Sequence, residues 1–275
     1  MFITLSVSAC SNLTGLLFYP DTHYYQQPED LGVQASRIMI ETEDGEQLAN
    51  WYLNNVENAK ASILFLHGNG ENISTHINSV AWLTEHGYKV FLLDYRGYGH
   101  STGTSTLASA LSDIEDAHQW LSTHESLPLI VFGQSLGGAL AITYTANARP
   151  ELSPIRTLVT ESAPASWPQI AREAMRSNPL TWLLQIPAFL LPGQHDAEKH
   201  IRQINDIPVL LMHSPQDEVV PYHHSQQLLD QGTSQVRFIQ TQGGHIAGFA
   251  KEDIRNKFLN FISGRYSPRK LTAVK

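Results

Sequence analysis

The sequence predicts an α/β fold with a mostly parallel, doubly wound sheet, and three observations predict it. Short apolar runs rich in Val, Ile, Leu and Phe alternate with longer helical segments over most of the chain. Strands covered on both faces read as continuous apolar runs of this kind. Near the N-terminus, Asp44-Gly45 separates two β-rich segments, the signature of an antiparallel hairpin. Finally, Leu129-Ile-Val-Phe-Gly133-Gln-Ser135-Leu-Gly137-Gly138 passes from an apolar strand through a glycine-flanked turn into a helical run. A serine in such a turn needs near-absent side chains two residues before and after it, because the backbone passes close to its neighbours.

Composition agrees. The 275 residues are 42% hydrophobic and 16% charged, which describes a globular chain able to bury one core. A net charge of −8 without long charged runs argues against nucleic acid as the main partner. No apolar run approaches the roughly 18 residues that span a bilayer. The single cysteine, Cys10, cannot form an intramolecular disulfide. Val7-Ser8-Ala9-Cys10 resembles a bacterial lipobox, which implies a lipid anchor at Cys10 and a cell-envelope location, with residues 1–20 as a targeting or anchor segment. No Lys or Arg precedes Cys10, however, and the apolar stretch before it is short for a signal peptide. A soluble cytoplasmic protein is the competing expectation.

Taken in order, residues 36–43 and 46–53 read as the hairpin strands. Residues 61–66 form a buried strand ending in His67-Gly68-Asn69-Gly70, and 74–86 a helix closed by Gly87. Residues 88–95 give the next strand, followed by the loop Arg96-Gly-Tyr-Gly-His-Ser-Thr-Gly103 and a helix over 107–124. After the serine turn come a helix over 139–148 and a strand over 156–161. Strands at 208–213 and 236–240 bracket a helix near 225–231, and a helix over 247–262 closes the fold. The segment 166–202 breaks the rhythm with Pro168, Pro179, Pro187 and Pro192 among Trp and Leu, which predicts a small helical cap. Residues 21–265 are therefore expected as one domain carrying that insertion, with 266–275 as a tail.

A serine hydroxyl attacks a carbonyl only when a base takes its proton and a third group orients the base. Asp217 follows the strand at 208–213, and His245 follows the strand at 236–240. Parallel strands place both at the sheet edge that carries Ser135, in the chain order Ser, Asp, His. Glu161, ending its own strand, competes with Asp217 for the acid's role, as does the adjacent Glu218.

His67-Gly-Asn-Gly, Asp94-Tyr-Arg-Gly-Tyr-Gly-His-Ser, Gly133-Gln-Ser-Leu-Gly-Gly, Asp217-Glu-Val-Val-Pro and Gly244-His245 together resemble the α/β-hydrolase superfamily. More narrowly they are similar to the Bem46/ABHD13-like serine hydrolases, over about residues 35–263. That resemblance implies the α/β-hydrolase fold and a serine hydrolase of apolar acyl esters, with thioesters and amides as further substrates. It assigns Ser135 as nucleophile, His245 as base, Asp217 as orienting acid, and the N–H groups of Leu136 and Asn69 as the oxyanion hole. Peptidase, acyltransferase and depalmitoylase activities use the same residues, and a non-catalytic ligand-binding module is the alternative from another class.

The resemblance also gives His67 a supporting role behind the oxyanion loop. Asp94 and Arg96 read as braces. One departure is His213-Ser214-Pro215, where the family often has His-Gly. No cofactor or metal is implied. His195 and His200 do not share a helical face, His223-His224 has no carboxylate at helical spacing, and Gly97–Gly103 does not fit a dinucleotide fingerprint.

Overall fold

The computed structural model describes residues 14–176 and 191–265. Cys10, residues 177–190 of the expected cap and residues 266–275 lie outside them. Eight strands form one sheet: β1 (Ser36–Glu41), β2 (Gln47–Leu53), β3 (Ala61–Leu66), β4 (Tyr88–Leu93), β5 (Leu129–Gln134), β6 (Ile155–Glu161), β7 (Val209–His213) and β8 (Val236–Gln240). Their order is β1-β2-β4-β3-β5-β6-β7-β8. The β1–β2 and β2–β4 pairs are antiparallel and the other pairs parallel. This is the α/β-hydrolase fold, with the expected hairpin at its N-terminal edge. No helix among the described residues is long and apolar enough to cross a membrane.

Side-chain alternation splits the core into two layers. In β3, Leu64 and Leu66 face the layer of α1 (Leu107–His124) and α2 (Leu136–Asn147), while Ile63 and Phe65 face the opposite layer. Helix α1 packs Leu107, Ala110, Ile114, Ala117 and Leu121, a stripe at helical spacing. Its start is fixed by Thr106, whose hydroxyl accepts from the Ser109 N–H while the Ser109 hydroxyl accepts from the Thr106 N–H. Helices α3 (Trp167–Arg176), α4 (His223–Gln231) and α5 (Glu252–Ile262) follow. Helix α5 covers the second layer through Ile254, Phe258, Phe261 and Ile262.

Two helices differ from expectation. Residues 74–86 are a short α-turn, Ile73–His76, followed by the 3₁₀ segments Ile77–Ser79 and Ala81–His86. Val80, at φ −132° and ψ −16°, leaves the helical region. The side chains of Asn78 and Trp82 donate to the Thr75 and Ser79 carbonyls, in place of a continuous helical ladder. Gly87 does close the segment in the left-handed conformation. The last helix begins at Glu252 after the 3₁₀ turn Gly248–Ala250, because the Gly248 N–H donates instead to the Glu161 carboxylate.

On α1, Asp116 has a buried Oδ2 without a partner among the described residues. Burial, then the neighbouring Asp113 and Glu115, push its carboxyl up to about 6. A raised carboxyl pKa makes its stability contribution full below the unfolded value and lost as pH rises through about 6. Asp116→Asn is therefore expected to raise the thermal midpoint at pH 8 and to leave it nearly unchanged at pH 4. Equal midpoints for the two proteins at pH 8 would refute this.

Candidate active site

The turn between β5 and α2 places Ser135 at φ 53° and ψ −120°, a strained conformation for a residue with a side chain. The expected need for glycine around it is met. A Cβ on Gly137 would overlap the Leu66 and His67 carbonyl oxygens, and one on Gly133 would overlap the Gly137 carbonyl. Ser135 donates its N–H to the Glu161 carbonyl (2.8 Å) and keeps 8% of its surface exposed. The β3 end also packs against the turn, since a Cβ on Gly68 would lie 3.3 Å from the Ser135 Cβ. Among the described residues, neither the Leu136 N–H nor the Asn69 N–H donates to a protein acceptor.

Across the sheet edge, the His245 Nδ1 lies 2.8 Å and 3.0 Å from the two oxygens of Asp217. The Asp217 side chain is fully buried, and its Oδ1 also accepts the N–H groups of Val219 and Val220 (2.9 Å each). Burial alone would raise this carboxyl. The hydrogen bonds from His213 and His245 and the charge of His245 outweigh it, holding the group well below the usual carboxylate range. Glu218 makes no such contact to His245 among the described residues.

Glu161 is engaged elsewhere. Its Oε2 accepts from the Gln134 side chain (2.7 Å) and its Oε1 from the Gly248 N–H (2.8 Å). It therefore ties the serine turn to the loop that carries His245. Burial pushes its carboxyl up, against those two hydrogen bonds.

His213 is the residue whose place the sequence did not reveal. Its Nε2 lies 2.9 Å from the Val220 carbonyl and 3.2 Å from the Asp217 Oδ2, and its Nδ1 meets the Ser225 hydroxyl. Both neighbours of Nε2 are acceptors, so Nε2 carries the proton and Nδ1 accepts from Ser225. Asp217 thus sits between two imidazoles.

His67 donates from Nδ1 to the Gly68 carbonyl (2.7 Å), and its ring packs against His76, Tyr95 and Tyr98. Burial, followed by the charge of His67, pushes the His76 imidazole down to about 3, which keeps it neutral beside Gly68. Asp94 accepts from the Ile73 N–H (3.1 Å) and the Tyr24 hydroxyl (3.3 Å). Arg96 pairs with Asp113 on α1 (2.6 Å) and Asp44 in the hairpin turn (2.7 Å). Both are the loop braces their sequence context suggests.

Glu173 on α3 supplies a carboxylate to His223 (3.1 Å) and His224 (2.9 Å) on α4. The three offer donor atoms close enough for a metal ion. His224 Nδ1, however, accepts from the Ala165 N–H (3.1 Å), so its proton resides on Nε2 and points at Glu173. A protonated nitrogen is no metal ligand. The cluster is a hydrogen-bonded clamp of α3 onto α4.

With this fold and this clustering at one sheet edge, the chain belongs to the α/β-hydrolase superfamily. A family model described as serine aminopeptidase, S33, matches residues 57–186. The uncharacterized protein YfhR of Escherichia coli (strain K12) is 30% identical over 285 residues, covering 98% of this chain and 95% of its own length. Protein bem46 of Schizosaccharomyces pombe is 26% identical over 205 residues, covering 70% of this chain and 64% of that protein. Among solved structures, an esterase from Pyrococcus furiosus superposes with a TM-score of 0.74 at 20% identity, covering 90% of this chain and 97% of the esterase.

His213→Ala removes a buried donor to Asp217 and strips the Ser225 hydroxyl of its acceptor. It is expected to lower the unfolding free energy by roughly 2–3 kcal/mol in urea titrations. A loss under about 0.5 kcal/mol would mean the imidazole does not support the acid loop.

Proposed function

We propose that the protein is a serine hydrolase of carboxylic esters with apolar acyl chains, working through Ser135, His245 and Asp217. The observation that carries this reading is the forked contact of His245 Nδ1 on the buried Asp217 carboxylate. It lies at the same sheet edge as a serine held in a strained, glycine-flanked turn.

With Nδ1–H committed to Asp217, Nε2 is left as a base. The Ser135 Oγ forms a bond to the acyl carbon while its proton passes to His245 Nε2. The carbonyl oxygen becomes an oxyanion that accepts the N–H groups of Leu136 and Asn69, neither of which donates to another acceptor among the described residues. Collapse breaks the bond to the alcohol, which leaves with the proton from His245, and Ser135 stays acylated. A water then gives a proton to His245 and attacks the same carbon, and collapse breaks the bond to the Ser135 Oγ, which takes that proton back from His245 as the acid leaves. Asp217 stabilises the imidazolium and does not take its proton. The low carboxyl pKa described above suits that role.

The P. furiosus neighbour is an esterase by its own description, which supports an ester substrate. The description of the matched family model favours a second reading, hydrolysis of a peptide at its amino end. The two differ in the bond cleaved and share the same nucleophile. Competition between a short p-nitrophenyl ester and an aminoacyl anilide therefore separates them.

Wild type is expected to turn over the ester and to react with a fluorophosphonate at Ser135, as read by mass spectrometry of the labelled peptide. Ser135→Ala is expected to fold, to escape labelling and to lose turnover by at least ~10³-fold. Retention of most turnover in that variant would sink the reading.

A further inference from the structure

Residues 17–25 form no regular strand, yet they follow the loop at 69–74 in register. Asn69 Nδ2 donates to the Leu17 carbonyl (2.6 Å), and Asn69 Oδ1 accepts the Tyr19 N–H (2.8 Å). Asn72 Nδ2 donates to the carbonyls of Asp21 (2.9 Å) and His23 (2.7 Å). The Ser74 hydroxyl accepts the Tyr25 N–H (3.0 Å). Every second residue of one segment is thus bonded to the other, at separations of 49 to 52 residues. The near-constant offset is that of two chains running side by side. One of them answers with side chains instead of backbone groups.

The loop needs such support. Gly70 and Glu71 are consecutive left-handed residues at φ 75° and φ 55°, and Glu71 is no glycine. Backbone of this kind persists only where the surroundings over-determine it. Asn69 supplies most of that constraint. Besides Tyr19, its Oδ1 accepts from the Gly70 N–H (2.9 Å) and the Tyr98 hydroxyl (2.8 Å). The side chain that fixes the loop belongs to the residue whose own N–H the serine-hydrolase reading assigns to the oxyanion.

We propose that residues 17–25 are a positioning strap for the oxyanion hole, coupled through the Asn69 and Asn72 carboxamides. This rests on the serine-hydrolase reading above. The strap touches no substrate. It sets the direction of one N–H that does, so its loss should lower kcat and spare KM, since the oxyanion forms only after binding.

A single backbone substitution isolates the effect. Tyr19→Pro in the full chain removes the N–H that meets Asn69 Oδ1 and the Tyr98 hydroxyl. Phe18 is extended at ψ 133°, the conformation required before proline. Tyr19 already precedes Pro20. Tyr19 is 69% exposed, so Tyr19→Ala is the reference that loses the ring and keeps the N–H.

Turnover of a short p-nitrophenyl ester is measured per fluorophosphonate-reactive site, which corrects for misfolded protein. Tyr19→Pro is expected to show about 10-fold lower kcat than Tyr19→Ala at equal KM. Asn69→Ala, which severs the loop's side of the same bond, is expected to fall ~10²-fold. A purely structural role would lower the reactive fraction and leave kcat per site unchanged. That result in both variants, with wild type active and Ser135→Ala dead, overturns the strap alone. Inactive wild type that is not labelled at Ser135 overturns the serine-hydrolase reading and the strap with it.

Discussion

Everything at this sheet edge depends on one backbone turn that is held against its own preference. Ser135 keeps φ 53° only because the chain on either side has no alternative. Gly133 lets the β5 end approach the α2 backbone, and Gly137 lets α2 approach the β3 end. The contact is mutual, so the strand that ends in His67-Gly68 is fixed by the turn it helps to fix. A left-handed non-glycine residue costs on the order of 1–3 kcal/mol, which the buried strands on both sides of β5 offset.

Buried carboxylates spread that rigidity outward, and each has its own set of donors. Glu161 joins the serine turn to the loop before α5. Asp94 joins the β4 end to Ile73 and to the segment around Tyr24. Asp113 holds Arg96, which reaches on to the hairpin turn at Asp44. Asp217 carries four donors, two imidazoles and two backbone amides. Leaving any of these acids unpaired in the interior would cost more than its hydrogen bonds return, so each loop is fixed to its partner. An acid in position to orient a base is one member of a set whose other members orient loops.

Much of this was legible in the sequence because its signals are local. Strands β3 and β8 and helix α1 fall where apolar runs and capping residues place them, and the strand–turn–helix around Ser135 is written in three glycines. What escaped was non-local, except for one stretch of short-range bonds. Residues 74–86 carry a helical pattern that side-chain bonds from Asn78 and Trp82 interrupt. Glu161 ends β6 and Asp217 follows the neighbouring β7, and only the positions of Gly248 and His245 decide which acid meets the imidazole. The partner of His223 and His224 lies on another helix some fifty residues earlier, beyond any spacing rule. The family resemblance singles out the Asn69 backbone amide, while its carboxamide makes the loop's bonds. An irregular segment that bonds to side chains has no period to read.

The offset between residues 17–25 and 69–74 sets an order of assembly during synthesis. The earlier segment leaves the ribosome while its partners are still unmade, and it must wait about fifty residues for them. It must then find a loop whose shape depends on the β3 and β5 ends being together. Contacts of such separation form late, after loop closure has been offset by sheet formation. They are also the first to open, since half-exposed side-chain bonds hold them instead of a ladder. A protease that trims the chain at Tyr25 would meet an accessible backbone outside the sheet. The product would keep every strand and still lack the segment that braces the loop at 69–74.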